Sequence, residues 1–258
     1  MDEIAELHRR SARALVALMN GAPDAEFHIR AGCAMGLSGE DTADLNMILL
    51  EGAETTAREF LAASMDTAAR KRLPVLVQIA PALAEALASD AAAHGLTQAG
   101  ALPLMVQRVP ADALPSKPCE ITEVRDPQAA AAAVALVSAA FSLPPEMVAR
   151  ALGSSALAET GCRFYLASND GVAASSVAVT REGKVAGVWC MATPSERQGQ
   201  GWGRALLSRA IDRLRDDGVE RFYLFATAAG FPLYRSLGFE TIAEEVIWVK
   251  GHSTQAHG

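Results

Sequence analysis

The spacing of apolar side chains divides the chain into short elements whose period switches between that of a strand and that of a helix. From residue 119 onward the pattern is regular. Glu120 to Val124 alternates and reads as a strand. Pro127 to Phe141 is a long apolar run with a proline in its first turn, which predicts a helix. Pro144 to Leu152 predicts a second helix, stopped at Gly153. Arg163–Ala167 and Val172–Thr180 are strand-like runs on either side of Asn169-Asp170-Gly171, a hairpin signal. A turn at Glu182-Gly183 leads into a third run, Lys184–Ala192. Gly201 to Asp217 places Leu206, Ala210 and Leu214 on one helix face, with Gly218 at its end. Arg221–Ala226 predicts a strand, Pro232–Leu237 a short helix and Thr241–Val249 a final strand. This order describes a mixed α/β fold: an antiparallel meander followed by a parallel crossover.

The first half is fainter. Ala14 lies in an early helix, and Phe27–Ala31, Met35–Leu37 and Leu45–Leu50 read as strands. Thr56–Arg70 predicts a helix, Val75–Ile79 a strand, Pro81–His94 a helix ended by Gly95, and Leu102–Val109 a strand. The order of meander, helix, strand, helix, strand repeats that of the second half and points to an internal duplication. Between the halves, Pro110, Pro115 and Pro118 interrupt any regular element. The expected division is residues 1–113, residues 119–250, and a disordered polar tail at 251–258.

Composition narrows the class. Half of the 258 residues are hydrophobic and 21% are charged, as in a globular protein with a sizeable core. Alanine is in excess at 52 residues, which favours close-packed helices and blurs their ends. The longest alanine-rich run, Ala129 to Phe141, is shorter than a membrane span, and Met1-Asp2-Glu3 is unlike a signal peptide. Cys33, Cys119, Cys162 and Cys190 are scattered with no C-x-x-C pair, the expectation for reduced thiols in a cytoplasmic protein with no metal site. The net charge of −7 gives neither half the basic footprint of a nucleic-acid binder, and no membrane partner is expected.

One segment carries chemistry. Gln198-Gly199-Gln200-Gly201-Trp202-Gly203 follows a strand and opens an amphipathic helix. Glycines let the backbone approach a ligand closely, and the N–H groups of a first helical turn favour an anion. The loop therefore reads as a pyrophosphate cradle, or as a glycine-rich turn packed on a neighbour. It is not a P-loop, because no G-x-x-x-x-G-K-[ST] is present. The dinucleotide fingerprint also fails: Arg204 or Leu206 stands where its third small residue is needed.

The pattern Gln198-x-x-Gly201-x-Gly203 resembles the Q/R-x-x-G-x-G/A signature of the GCN5-related N-acetyltransferases (GNAT). Leu233-Tyr234-Arg235-Ser236-Leu237-Gly238-Phe239 is similar to the same family's L-Y-x-x-x-G-F box. Both stand in the family's order, with the expected helix and strand between them, and the resemblance covers about residues 119–250. It implies the acyl-CoA N-acyltransferase fold, a mixed antiparallel and parallel sheet flanked by helices, here in two tandem copies. It also implies acetyl-CoA as co-substrate. By resemblance the pantetheine arm lies between the diverging strands Val188–Ala192 and Phe222–Ala226 and bonds backbone near Met191 and Thr193. The pyrophosphate lies on Gln198, Gly199, Gln200, Gly201, Trp202, Gly203 and Arg204, and Thr227 takes the place of a family asparagine. Tyr234 is implied as the catalytic acid that protonates the departing thiolate.

The family's glutamate base falls at about Gly187, so the base is missing, and no histidine lies in the body of the second half. Glu196 is close to the loop but is expected to face solvent. Trp202 reads as packing under the loop, Tyr234 as catalytic acid or core aromatic, and Cys190 as a small buried filler. Arg197 and Arg204 read equally as phosphate ligands or solvated surface. The first half has no such loop. Thr55-Thr56-Ala57-Arg58 stands where the loop would be, and Ala91 stands where the tyrosine would be. It is expected to be a degenerate copy that does not bind the cofactor. The leading expectation is transfer of an acetyl group from acetyl-CoA to a primary amine of a small molecule or peptide. The alternative is a non-catalytic acyl-CoA-binding sensor or regulatory protein.

Overall fold

A computed structural model of the chain describes residues 3–109, 117–153 and 161–252. Pro110 and Pro115 of the expected linker, and residues 253–258 of the expected tail, lie outside the described residues. The elements of the first half are α1 (Glu3–Met19), β1 (Glu26–Arg30), β2 (Cys33–Leu37), β3 (Asn46–Leu50), α2 (Glu54–Lys71), β4 (Val75–Ile79), α3 (Pro81–Ala93) and β5 (Thr97–Gln107). Those of the second are β6 (Glu120–Glu123), α4 (Pro127–Phe141), α5 (Pro145–Val148), β7 (Cys162–Asn169), β8 (Val172–Glu182), β9 (Val185–Ala192), α6 (Trp202–Asp216), β10 (Arg221–Phe225), α7 (Phe231–Ser236) and β11 (Glu240–Lys250).

The chain forms two compact units that do not follow the linker. One is Met1–Leu104 with Phe225–Ala229 and Thr241–Gly258; the other is Met105–Leu224 with Gly230–Glu240. The division thus differs from 1–113 and 119–250, and the difference lies mainly in β11. This strand pairs antiparallel with β4, from Val246 opposite Ile79 to Lys250 opposite Val75. Its second half is buried on both faces. Trp248 joins the cluster of Met35, Ile48, Leu61 and Leu87, while Ile247 and Val249 join Leu76 and Ala43. Burial of that apolar surface holds the strand in the first unit. A buried pair adds to it: His8 Nε2 of α1 and Glu245 Oε1 of β11 are 3.1 Å apart, both with no solvent exposure. Gly251 and His252 are ordered onto the same unit, where the His252 carbonyl accepts from the Ala43 N–H at 2.9 Å.

Within the first unit, β1, β2 and β3 form an antiparallel meander and β4 runs parallel to β3. The second unit repeats that topology. β6 through β9 are paired antiparallel in order, and β10 runs parallel to β9. This is the acyl-CoA N-acyltransferase arrangement, present in two copies. Local chemistry explains its joints. Asp170 and Gly171 both take positive φ in the tight β7–β8 turn. The Asp126 side chain caps α4 by accepting from the Ala129 N–H at 2.8 Å. α6 buries Leu206, Ala210, Ile211 and Leu214 against the sheet and leaves its charged face outside. The expected helix at Pro144–Leu152 is a four-residue α-turn followed by a π-helical stretch, Ala149–Gly153.

Candidate active site

The site is built where β9 and β10 part. Three residue pairs join the strands: Arg221 with Val185, Phe222 with Ala186 and Tyr223 with Gly187. Beyond Gly187 the parallel pairing stops, although β9 continues to Ala192 and β10 to Phe225. A wedge between the strands results. On its other side β9 carries a bulge. Ala178 faces Trp189 and Ser176 faces Ala192, so Cys190 and Met191 together stand opposite the single residue Val177. Cys190 takes φ +47° to make the bulge, a conformation that costs a non-glycine residue about 1–2 kcal/mol. A bulge leaves backbone groups outside the ladder. The diverging edge of β9 therefore offers N–H and C=O groups to an extended ligand.

The glycine loop closes one end of the wedge. Gly199 and Gly201 take φ of +71° and +85°. Gly201 is the N-cap of α6 and no side chain caps the helix. The first intrahelical bond runs from Ala205 N–H to the Gly201 carbonyl, so the N–H groups of Trp202, Gly203 and Arg204 have no intrahelical acceptor. Such N–H groups, with the helix dipole behind them, favour an anion. Gly203 is required by packing: a Cβ there would stand 3.1 Å from Met191 Cε and 3.3 Å from both Leu233 Cδ2 and Thr193 Oγ1.

Side chains around the loop serve mostly to hold its shape. The Gln198 amide donates to the Thr193 carbonyl at 3.1 Å, and the Gln200 amide donates to the Glu196 carbonyl at 2.8 Å. Trp202 is buried, donates its indole N–H to Gln200 Oε1 at 3.3 Å, and carries Lys117 Nζ 4.0 Å from its ring centroid. Arg197 donates to the Ala173 carbonyl at 2.7 Å, so this arginine braces the turn. Thr193 Oγ1 lies 2.8 Å from Ser175 Oγ. Arg204 is half-buried in the first turn of α6.

Tyr234 is buried on α7 and packs edge-to-face on Phe239, with ring centroids 6.0 Å apart. Gly230, four residues earlier, has no room for a Cβ, which would meet the Tyr234 ring at 2.7 Å. Burial, and secondarily the neighbouring Cys190 thiol, push the phenol well above its ordinary range. Burial likewise pushes the Cys190 thiol up to about 12. The wedge thus brings together Met191, Thr193, Gln198, Gly199, Gln200, Gly201, Trp202, Gly203, Arg204 and Tyr234 in one unit. Thr227 differs: its segment, Phe225–Ala229, groups with the first unit.

Sequence reasoning missed Lys117, which reads only as linker before Pro118, and the part played by Cys190, because a bulge arises from strand pairing and leaves no residue signature here. At Gly187, a Cβ would meet the Trp189 indole at 2.7–2.9 Å. That indole also donates to Thr180 Oγ1 at 2.8 Å and packs edge-to-face on Tyr223. The space beside Gly187 is filled by an aromatic ring.

The wedge, bulge and glycine loop lie within a stretch recognised independently. Residues 160–241 match the family model described as the acetyltransferase (GNAT) domain. This part of the chain is a GNAT domain. Among solved structures, a GCN5-related N-acetyltransferase from Kribbella flavida superposes with a TM-score of 0.72 at 20% identity, covering 98% of this chain and 97% of its own. A conserved protein of unknown function from Staphylococcus epidermidis gives 0.65 at 14% identity, covering 89% of this chain and 95% of that one. A tandem GNAT protein from the clavulanic acid biosynthesis pathway gives 0.62 at 17% identity, covering 92% of this chain and 87% of that one. These likenesses extend the fold over nearly the whole chain, beyond the GNAT domain itself. No protein with a curated description matches the sequence.

Proposed function

We propose that the GNAT domain binds acetyl-CoA and transfers its acetyl group to a primary amine of a small molecule or peptide. The observation that carries this reading is the conjunction of a parted β9–β10 pair, an uncapped glycine-bounded helix start and a buried tyrosine in one unit. The N–H groups of Trp202, Gly203 and Arg204 receive the pyrophosphate. The free edge of β9 at Met191 bonds the pantetheine arm, and backbone N–H groups of the Cys190–Met191 bulge polarise the thioester carbonyl. The Thr193 carbonyl is already engaged by Gln198.

Acetyl-CoA supplies an activated acetyl thioester. The acceptor nitrogen forms a bond to the acetyl carbon, the carbon–sulfur bond breaks, and the amine loses a proton to water. Tyr234 gives its phenolic proton to the leaving sulfur. The dry surroundings that hold Cys190 as a thiol act the same way on a departing thiolate, raising its demand for a proton toward what a buried phenol supplies. With the space at Gly187 occupied by the Trp189 indole, no carboxylate stands at that position to take the amine's proton. An acceptor of low basicity, or one already neutral, suits such a site.

That same feature favours a second reading, an acyl-CoA-binding regulatory protein without turnover. In either reading residues 1–113, which lack the loop and the tyrosine, bind no cofactor of their own. Calorimetry with acetyl-CoA tests the shared step. The wild type is expected to bind one equivalent, and Gly203→Leu, whose side chain collides with Met191, Leu233 and Thr193 and so displaces the first turn of α6, is expected to weaken binding at least ten-fold. Wild-type binding unaffected by Gly203→Leu, or no binding at all, rejects the assignment.

A further inference from the structure

Strand β1 pairs with β2 on one side and, among the described residues, with nothing on the other. Which backbone groups it leaves open follows from the turn that ends it. Arg30 and Cys33 stand opposite each other across Ala31 and Gly32, which take φ of +47° and +95°. A two-residue turn of that kind is flanked by a pair that exchanges both backbone hydrogen bonds. Alternate pairs along the ladder do the same, so Arg30, His28 and Glu26 direct their N–H and C=O groups to Cys33, Met35 and Leu37. Phe27 and Ile29 turn theirs to the open edge.

Sheet edges are commonly guarded by lysine, proline or a bulge. β1 contains neither lysine nor proline, and its register with β2 runs unbroken from Glu26 to Arg30. Ile29, an apolar β-branched residue, is 52% exposed there. The charges of β1 are ordered about its middle: an acid at one end, a base at the other, and an apolar residue on each side of His28. Glu26, His28 and Arg30 share the face toward α2, where Lys71 reaches Glu26 at 3.1 Å and Glu59 reaches Arg30 at 3.4 Å. The Arg30–Glu59 pair is largely exposed, so the guanidinium keeps donors toward solvent. Phe27 and Ile29 share the other face, where Phe27 packs beside Gly36.

We infer that β1 is a self-association edge, to which a second copy of this chain adds its own β1, antiparallel about a two-fold axis at His28. In that register Phe27 stands opposite Ile29 of the second copy, and the two exchange the backbone hydrogen bonds that each leaves open. The same pair covers Ile29 with an aromatic ring. Glu26 stands opposite Arg30 of the second copy on both sides of the axis, and His28 meets its own counterpart. A register shifted by one residue sets open groups against used ones, and a shift of two loses the opposition of Glu26 and Arg30. A contact of one short strand lies at the small end of specific interfaces, so the dimer is a weak one.

Sedimentation velocity of the full chain over a concentration series, with amide hydrogen exchange read residue by residue by NMR, tests the edge. A monomer–dimer equilibrium is expected. Protection of the Phe27 and Ile29 amides should rise with protein concentration, and that of the His28 and Arg30 amides, bonded within the chain, should change less. Arg30→Glu sets like charges opposite each other on both sides of the axis and should raise the dissociation constant at least about ten-fold. Adding Glu26→Arg to it exchanges the two charges and should restore the constant to within about three-fold of wild type. A monomer at every concentration leaves the edge to some other strand and overturns the assignment. So does a dimer unmoved by Arg30→Glu, a dimer whose Phe27 and Ile29 amides gain no protection, or no recovery in the exchanged variant.

Discussion

Two tyrosines of the second unit sit in dry surroundings, and the consequence is measurable without a substrate. Burial raises the pKa of both Tyr165 and Tyr234 in the folded chain, whereas the unfolded chain ionises its tyrosines near 10. Above that pH the unfolded state has lost protons that the folded state retains. Stability is therefore full below about pH 10 and declines as pH rises past it. Urea unfolding midpoints are expected to fall between pH 9 and 11, and to fall less in Tyr234→Phe. A midpoint that holds or rises over that interval contradicts the burial argument. The same shift keeps Tyr234 protonated throughout the neutral range, so no loss of activity between pH 7 and 9 is expected from its ionisation.

At the scale of elements, the short helix α7 sets the tyrosine. Its first turn begins beside Gly230, whose missing side chain leaves the space that the phenol ring occupies. Gly230→Ala should push the ring aside and lower turnover, while acetyl-CoA binding at α6 is retained. A binding defect equal to the turnover defect would show that α7 and the loop are not separate parts.

Much of this arrangement is legible in the sequence. The loop, α6, α7 and their order follow from the glycines, the apolar stripe of Leu206, Ala210 and Leu214, and Tyr234. The bulge is not legible, because Cys190 is forced to positive φ by its pairing partners and not by its own preference. β5 begins at Thr97, ahead of the expected Leu102, because pairing rather than alternation recruits its start: Thr97 Oγ1 donates to the Val249 carbonyl at 3.3 Å. At Asn46 the expected strand starts one residue late, since Ala43–Leu45 form a tight turn: the Asn46 backbone N–H donates to the Ala43 carbonyl and its side-chain amide to the Glu40 and Thr42 carbonyls.

At the scale of the whole molecule, the units are not consecutive segments. Periodicity alone places Thr241–Val249 as the last strand of the second copy, and nothing in its composition marks it for the first unit. Yet Trp248, Ile247 and Val249 complete the core there. A fragment of residues 1–113 is therefore expected to lack a cooperative unfolding transition, since β4 keeps β3 but loses β11 on its other edge, and Trp248 leaves the core. Cooperative unfolding of that fragment alone would contradict the assignment of β11. The His8–Glu245 pair makes the same point by a single substitution. Glu245→Ala leaves the buried His8 only the more distant Glu51 carboxylate, at 3.9 Å, and should destabilise the chain by about 2 kcal/mol, read from denaturant midpoints. A change within about 0.5 kcal/mol, typical of a surface site, would show that the pair does not tie α1 to β11.

The central claim is that Tyr234 completes an acetyl-transfer site. Amine-dependent release of the coenzyme A thiol from acetyl-CoA, followed across a panel of primary amines for wild type and Tyr234→Phe together, tests it most directly. The account predicts release with at least one amine, a fall of roughly 100-fold or more in kcat on Tyr234→Phe, and an unchanged dissociation constant for acetyl-CoA. Release that is equal in the two proteins, or absent with every amine while acetyl-CoA binds, would contradict it.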